Sequence, residues 1–259
     1  MKRRPQSGSE CANTYVHVQP RRSGSGYHEI MRLIALTLAV TLGSTLLVAE
    51  EDTRKTDERL ADAASLFTEI MSAPDRSLPQ GLLDKASCVV LVPGMKKGAF
   101  MVGGKYGRGF AVCRAASGLG WGAPAAIRIE GGSFGLQVGF SSSDVVLLVM
   151  NQRGMKRLTR DEFTIGGEAT AAVGPLGRDA TAQTDAMMTA EVLSWSRSKG
   201  LFAGASLDGA TMRNDLDENR NMYGKPWTSR QILNSGATPP ASARKLLDVL
   251  AKYSPKKSH

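Results

Sequence analysis

The chain has 259 residues, 33 Lys+Arg against 24 Asp+Glu for a formal charge of +9, 22% charged residues and 42% apolar ones, a globular composition that is neither disordered nor collagen-like. Its three histidines are His17, His28 and His259, so residues 29–258 contain no imidazole, which excludes histidine-based triads, HExxH zinc sites and His-ligated haem. Three cysteines, Cys11, Cys88 and Cys113, are too few for a cysteine zinc site or an iron–sulfur cluster, and no cofactor or metal is expected.

Residues 1–30 are polar and rich in Arg, Ser and Gly. They read as an extension from a misplaced start, with Met31-Arg32 as the natural beginning. Residues 33–49, LIALTLAVTLGSTLLVA, are an uncharged apolar run of 17 between Arg32 and Glu50-Glu51-Asp52. This is the layout of an export signal over 31–49, with Ala49 as the cleavage point. The alternative is a membrane anchor, but a span needs about 20 apolar residues. Export to a periplasmic or secreted location is the expectation. Removing residues 1–49 takes 6 basic and 2 acidic residues from the 33 and 24, leaving 27 against 22, or +5. That balance does not call for nucleic acid but suits an anionic surface. Residues 50–259 have the length of one domain, core 57–251.

Within it, Leu60, Ala63, Ala64, Phe67, Ile70 and Met71 form one stripe of an amphipathic helix over 57–71, with Thr56 as its cap and Pro74 as its stop. A short helix is expected from Pro79 to Ala86. The texture then changes: 22 of the 28 glycines fall between residues 81 and 209, and the apolar residues begin to alternate. Ile127 and Ile129 oppose Arg128 and Glu130; Phe134, Leu136, Val138 and Phe140 oppose Gly135, Gln137 and Gly139. Val145–Met150 is continuously apolar, as a strand buried on both faces is. Strands are expected at 88–92, 98–104, 108–115, 124–131, 133–140 and 144–150, then near 187–197 and 200–207. A helix over 239–252 closes the domain, with Ala243, Leu246, Leu247 and Leu250 inward and Arg244, Lys245 and Lys252 off the stripe. The fold class is α+β: a curved antiparallel sheet or small β-barrel flanked by an N-terminal and a C-terminal amphipathic helix.

Four short motifs have a chemical reading. Gly131-Gly132-Ser133-Phe134-Gly135 matches G-x-S-x-G, but the serine enters a strand and the only later histidine is the last residue, so no nucleophile elbow is expected. Ser196-Arg197-Ser198-Lys199 matches S-x-x-K without the downstream S-D-N and K-T-G elements of serine–lysine acyl enzymes, and reads as a polar strand end. Asp215-Leu216-Asp217-Glu218-Asn219 resembles the start of a calcium loop, yet Arg220 and Pro226 stand where Gly and Glu are needed, so a solvated helix is expected. Gly103-Gly104-Lys105-Tyr106-Gly107-Arg108-Gly109 reads as a glycine-rich hairpin turn, or as a phosphate-holding nest with two cations. Cys88 and Cys113 fall in expected strands that could lie side by side, either as a disulfide in an exported protein or as two small buried apolar residues.

The string from Leu82 to Arg114 resembles the opening of the SYLF family. The likeness continues through Gly120-Trp121, Gly135-Leu136-Gln137-Val138-Gly139 and Gly174-Pro175-Leu176-Gly177-Arg178, and is strongest at residues 194–210 and at the Asn221-Met222-Tyr223-Gly224 corner. These blocks occur in order over residues 57–251. The resemblance implies a non-enzymatic lipid-binding module. Eukaryotic members bind phosphoinositides and some bind actin, usually beside an SH3 or FYVE module. This chain looks like the stand-alone bacterial exported form, for which actin is not the expected partner.

The resemblance does not specify contact residues, so the candidates are physical ones: cations beside flexible glycines, Lys96, Lys97, Lys105 and Arg108, and a second patch of Arg197 and Lys199 beside Phe202, which would dip into the bilayer interface. The expected partner is an anionic phospholipid or membrane surface, not nucleic acid, with a homo-oligomer as a further expectation. The alternative is a protein-interaction module using the two amphipathic helices without lipid.

Overall fold

The computed structural model describes residues 51–73, 77–100, 102–134, 139–176, 189–198, 201–204 and 207–255. The extension and export signal read from residues 1–49 lie outside this set, as do Pro74, Lys199 and the segment 135–138. Residues 51–72 form the first helix, α1. All six residues of the expected stripe are buried, and Leu66 joins them. Each large aliphatic or aromatic side chain so removed from water contributes about 1.5–3 kcal/mol. Thr56 is not the cap. It lies inside the helix, buried, where its Oγ1 donates to the carbonyl of Asp52 at 3.0 Å, an i−4 bond open to a threonine in mid-helix. A short helix α2 (Gln80–Lys85) follows, capped by Pro79 and Ala86.

The next four strands are longer than expected: β1 (Cys88–Phe100), β2 (Val102–Cys113), β3 (Ala125–Phe134) and β4 (Gly139–Val149). The glycine-rich stretch Gly103–Gly109 is therefore the body of β2, not a hairpin turn. β1 reverses into β2 between Phe100 and Val102, which pair with each other. The glycines serve close approach instead. A Cβ on Gly109 would lie 2.0 Å from the carbonyl oxygen of Leu91, and one on Gly107 would lie 2.7 Å from Val92. What crowds them is a bulge in β1. Leu91 pairs with Phe110 and Lys96 with Tyr106, so β1 spends one residue more than β2 over this stretch. The same excess appears against β4, between Val92↔Val145 and Met95↔Ser143. Pro93 and Gly94, the latter at φ 61°, occupy it, a position where a proline is tolerated in a central strand.

After helix α3 (Gln152–Leu158), five short strands complete the sheet: β5 (Glu162–Thr164), β6 (Ala171–Val173), β7 (Val192–Ser198), β8 (Leu201–Gly204) and β9 (Thr211–Asn214). Among the described residues the order is β5-β9-β3-β2-β1-β4-β7-β6, with β8 pairing β7 beside β6. Sequence periodicity misses β5, β6 and β9, which have three or four residues each and too few turns of the pattern to register. The sheet is mixed, because β6 runs parallel to β7, and among the described residues its path has two ends, which makes it a curled sheet and not a closed barrel. The curl is visible in its inner core: Cys88, Val90, Ala111, Ile127, Leu147, Phe163, Val192 and Met212, drawn from seven strands, pack into one cluster. Alternate residues of the central strands, Val89, Leu91, Phe110, Val112, Val146, Leu148 and Trp195, face outward into a second cluster with α1, α2 and the C-terminal helix. Val145–Val149 thus alternates between two cores, which is why it is continuously apolar.

Three helical elements follow: α4 (Leu216–Tyr223), α5 (Ser229–Ser235) and, after a 3-10 turn, α6 (Arg244–Tyr253). Ala243, Leu246 and Leu250 of the last are fully buried, while Arg244, Lys245 and Lys252 are exposed. The end of α6 is held by side chains from the sheet: Trp121 Nε1 and the Arg114 guanidinium both donate to the Ser254 carbonyl, at 2.9 and 2.6 Å, with Arg114 stacked 3.9 Å over the Trp121 ring. Cys88 and Cys113 are register partners joined by a disulfide, so of the two readings the bonded one is present here.

Candidate functional site

The bulge at Pro93-Gly94 decides where the basic residues of β1 point. Before it the even-numbered residues Cys88, Val90 and Val92 face the inner core; after it the odd-numbered Met95 does. Alternation then carries Lys97 to the inner face and Lys96 to the outer one. On β2, Gly107 meets Val92 and Met95, so Lys105 is inner, while Tyr106 and Arg108 are outer with Phe110. The four cations grouped by sequence are therefore split between two faces: Lys97 with Lys105, and Lys96 with Arg108.

The outer-face arginines are not free. Arg108 donates from Nε and Nη2 to the two carboxylate oxygens of Asp215 at 2.5 and 2.8 Å, and from Nη2 to Glu218 at 2.9 Å. Arg59 of α1 binds Glu218 from the other side. Hydrogen bonding to Asp215 raises the Arg108 guanidinium above its usual range, against the opposing effect of burial. The Asp215–Asn219 string is a helix start, but not a solvated one. Asp215, Glu218 and Asn219 are buried; Asp215 caps α4 by accepting from the Glu218 amide, and Asn219 accepts from the Ala126 amide and donates to the Trp227 carbonyl.

Arg197, in β7, is held in the same manner. It binds Asp144 of β4 through Nε at 2.7 Å and binds Glu69 of α1. The other oxygen of Asp144 accepts from the Gly94 amide at 2.8 Å. Arg197 thus supports the carboxylate that pins the bulge, and is withdrawn from the expected second patch. Phe202 lies in β8, paired with Arg197, next to Leu201, which is 61% exposed. Two polar clefts of about 310 Å³ flank these clamps, one lined by Lys55, Arg108 and Asp217, the other by Arg59, Glu69 and Arg197.

Lys97 and Lys105 have a different environment. They are direct register partners across β1 and β2, with Ser141 level with them on β4 and Gly131 on β3. Both are half-buried, and among the described residues no carboxylate pairs with either. Burial, and then the charge of Lys105, hold the Lys97 ammonium below its ordinary range. Like charges directly opposed across a ladder destabilise it. One step further in lies Ser143, opposite Met95, buried and with its hydroxyl unpartnered among the described residues. Sequence reading does not single it out, because the third serine of a Ser141-Ser142-Ser143-Asp144 run carries no signal until the register is known.

The remaining motifs are structural. Ser133 sits within β3 and Ser196 within β7, neither at a strand-to-helix turn. Trp195 is fully buried and donates from Nε1 to the Pro175 carbonyl at 2.8 Å; a Cβ on Gly174 would lie 2.0 Å from its ring. The Gly174-Pro175 and Ser194–Ser198 blocks are thus two halves of one packing contact. Tyr223 donates to the Pro124 carbonyl at 2.6 Å, and Gly224 at φ 71° ends α4. Among the described residues no group of His, Cys, Asp and Glu is arranged to hold a metal ion, and no helix is long and apolar enough to cross a membrane.

Residues 130–253 match the family model Ysc84, described as "Las17-binding protein actin regulator". The SH3 domain-containing YSC84-like protein 1 of Homo sapiens is 34% identical over 193 residues, 73% of this chain and 56% of that protein, and its Bos taurus counterpart matches equally. LAS seventeen-binding protein 3 of Saccharomyces cerevisiae is 34% identical over 179 residues, 68% of this chain and 39% of that protein. The chain therefore spans little more than half of the former relatives and under half of the latter.

Proposed function

The chain belongs to the SYLF (Ysc84) family, and from that premise we propose that it is a non-enzymatic, exported protein that binds anionic membrane surfaces through the end of the sheet carrying Lys97 and Lys105. The observation that carries this reading is the opposition of these two lysines with no carboxylate beside them among the described residues, in a sheet whose arginines Arg108, Arg128, Arg197 and Arg213 are each paired with a carboxylate. A fold accepts such repulsion at lower cost when an anion relieves it. Lys96, exposed on the opposite face, adds to the positive charge of this end. Each lysine near an anionic surface is worth about 1 kcal/mol. The Cys88–Cys113 disulfide supports the exported setting, since such bonds persist in oxidising compartments.

Flotation of the protein with neutral and anionic liposomes at low and high salt tests the reading. Binding selective for anionic vesicles and abolished by salt is expected, because the attraction is screened. Absence of flotation on every composition overturns it. The yeast relative's name, a Las seventeen-binding protein, favours one other reading, a protein-interaction module. That reading expects partner capture or self-association without lipid, measured by size-exclusion chromatography with light scattering.

A further inference from the structure

The inner face of the sheet changes chemistry at one end. Through Val92, Val145 and Met95 it is apolar and buried. Level with Met95 comes the Ser143 hydroxyl, and one step on the row of Lys97, Lys105 and Ser141. The carboxylates nearest in the chain take the opposite face: Asp144 binds Arg197 and the Gly94 amide, and Glu130 binds Arg128 and Arg213. Among the described residues, then, the polar side chains of this row are ammonium and hydroxyl groups, with no carboxylate. Gly131, level with Lys105 on β3, adds no side chain, and the Gly209–Ala210 backbone lies against it.

Such a donor set is complementary to an oxyanion, and its charge selects among oxyanions. Two opposed ammonium groups are satisfied by a dianion and left half-compensated by a monoanion. A phosphomonoester carries close to two charges at neutral pH and three acceptor oxygens, whereas a phosphodiester carries one charge.

We propose that this end of the inner face is a binding site for a phosphomonoester group, seated between Lys97 and Lys105 and accepting hydrogen bonds from the hydroxyls of Ser141 and Ser143. The proposal deepens the membrane reading and rests on it for one source of the group, a lipid headgroup. A soluble phosphate ester offers the same chemistry, and the experiment separates the two.

The full chain is titrated with phosphatidylcholine vesicles carrying phosphatidic acid, a monoester, or phosphatidylglycerol, a diester, at matched surface charge. It is titrated separately with glycerol 3-phosphate, followed by calorimetry. Ser143→Ala and Lys97→Met are compared with Lys252→Met, a change of an exposed lysine on α6. The expected result is tighter binding of phosphatidic acid than of phosphatidylglycerol, reduced about tenfold by Ser143→Ala, the loss of one hydrogen bond to a charged group. Lys252→Met has no such effect. Ser143→Ala removes a buried hydroxyl without a partner, so its unfolding midpoint does not fall, and weaker binding cannot be ascribed to misfolding. Equal binding of the two lipids, untouched by Ser143→Ala, overturns the phosphomonoester site and leaves the membrane reading standing. Saturable binding of glycerol 3-phosphate without any vesicle binding supports the site and overturns the membrane reading. Binding to neither overturns both.

Discussion

The two faces of the central sheet use cations in opposite ways. On the outer face, Arg108 and Arg197 are each clasped by two carboxylates, and both clasps include a partner from another element: Arg108 from the start of α4, Arg197 from α1. On the inner face, Lys97 and Lys105 confront each other. The first arrangement ties elements together. The second weakens the ladder that carries it, and becomes favourable only with an anion present. A guanidinium also suits the first task, since its planar fork meets a carboxylate with two bonds, while an ammonium on a flexible stem suits a transient partner. Net charge, which counts all of them equally, does not distinguish these roles.

The comparison can be broken most forcefully at Arg108. Arg108→Met leaves Asp215 buried with its counter-charge gone and Glu218 with Arg59 alone, which costs about 3–5 kcal/mol. A lowered urea midpoint with no loss of anionic vesicle binding under folding conditions is the expected result. Loss of binding with an unchanged midpoint would return Arg108 to the contact surface. Next in size is the covalent tie across the same two strands. Cys88→Ala with Cys113→Ala removes a crosslink over a separation of 25 residues, worth about 3 kcal/mol, and should lower thermal stability without changing lipid selectivity.

The inner face is expected to respond in the reverse sense. Lys97→Met relieves the opposition to Lys105 and stabilises the unliganded protein by roughly 0.5 kcal/mol, while weakening anionic vesicle binding about fivefold. A variant both less stable and unimpaired in binding would contradict the comparison. The pH dependence has a definite sign. Lys97 has its folded value depressed below the ordinary lysine value of 10.5, so its charge costs stability at neutral pH, and the cost disappears as pH rises through the folded value towards 10.5. The stability advantage of Lys97→Met should therefore be largest near neutrality and vanish in alkali, as read by denaturant unfolding across that range. The smallest effect is at the helix cap: Thr228 accepts from the Gln231 amide at the start of α5, and Thr228→Ala should cost about 1 kcal/mol with no effect on binding.

Much of the fold was legible in the chain. The α1 stripe, the α6 stripe and the doubly buried β4 follow from apolar spacing, because a 3.6-residue or two-residue period reports directly on which face is covered. The glycine-rich run in β2 misled for a physical reason. Glycine marks both turns and crowded strands, and only the presence of the β1 bulge against Gly107 and Gly109 tells them apart. The buried acids of α4 misled likewise, since Asp215 and Glu218 look solvated until Arg108 and Arg59 are brought to them from residues far off in the chain.

The sequence by itself determined the class of the fold, the family and the lack of imidazole between residues 29 and 258. Those depend on composition, local period and motif order. Tertiary structure decided which of the candidates are available. One extra residue at Pro93-Gly94 reverses the alternation of β1, sending Lys97 inward to Lys105 and Lys96 outward. A strand's faces are set by its register with its neighbours, and register is a property of pairs of strands that no single stretch of sequence contains.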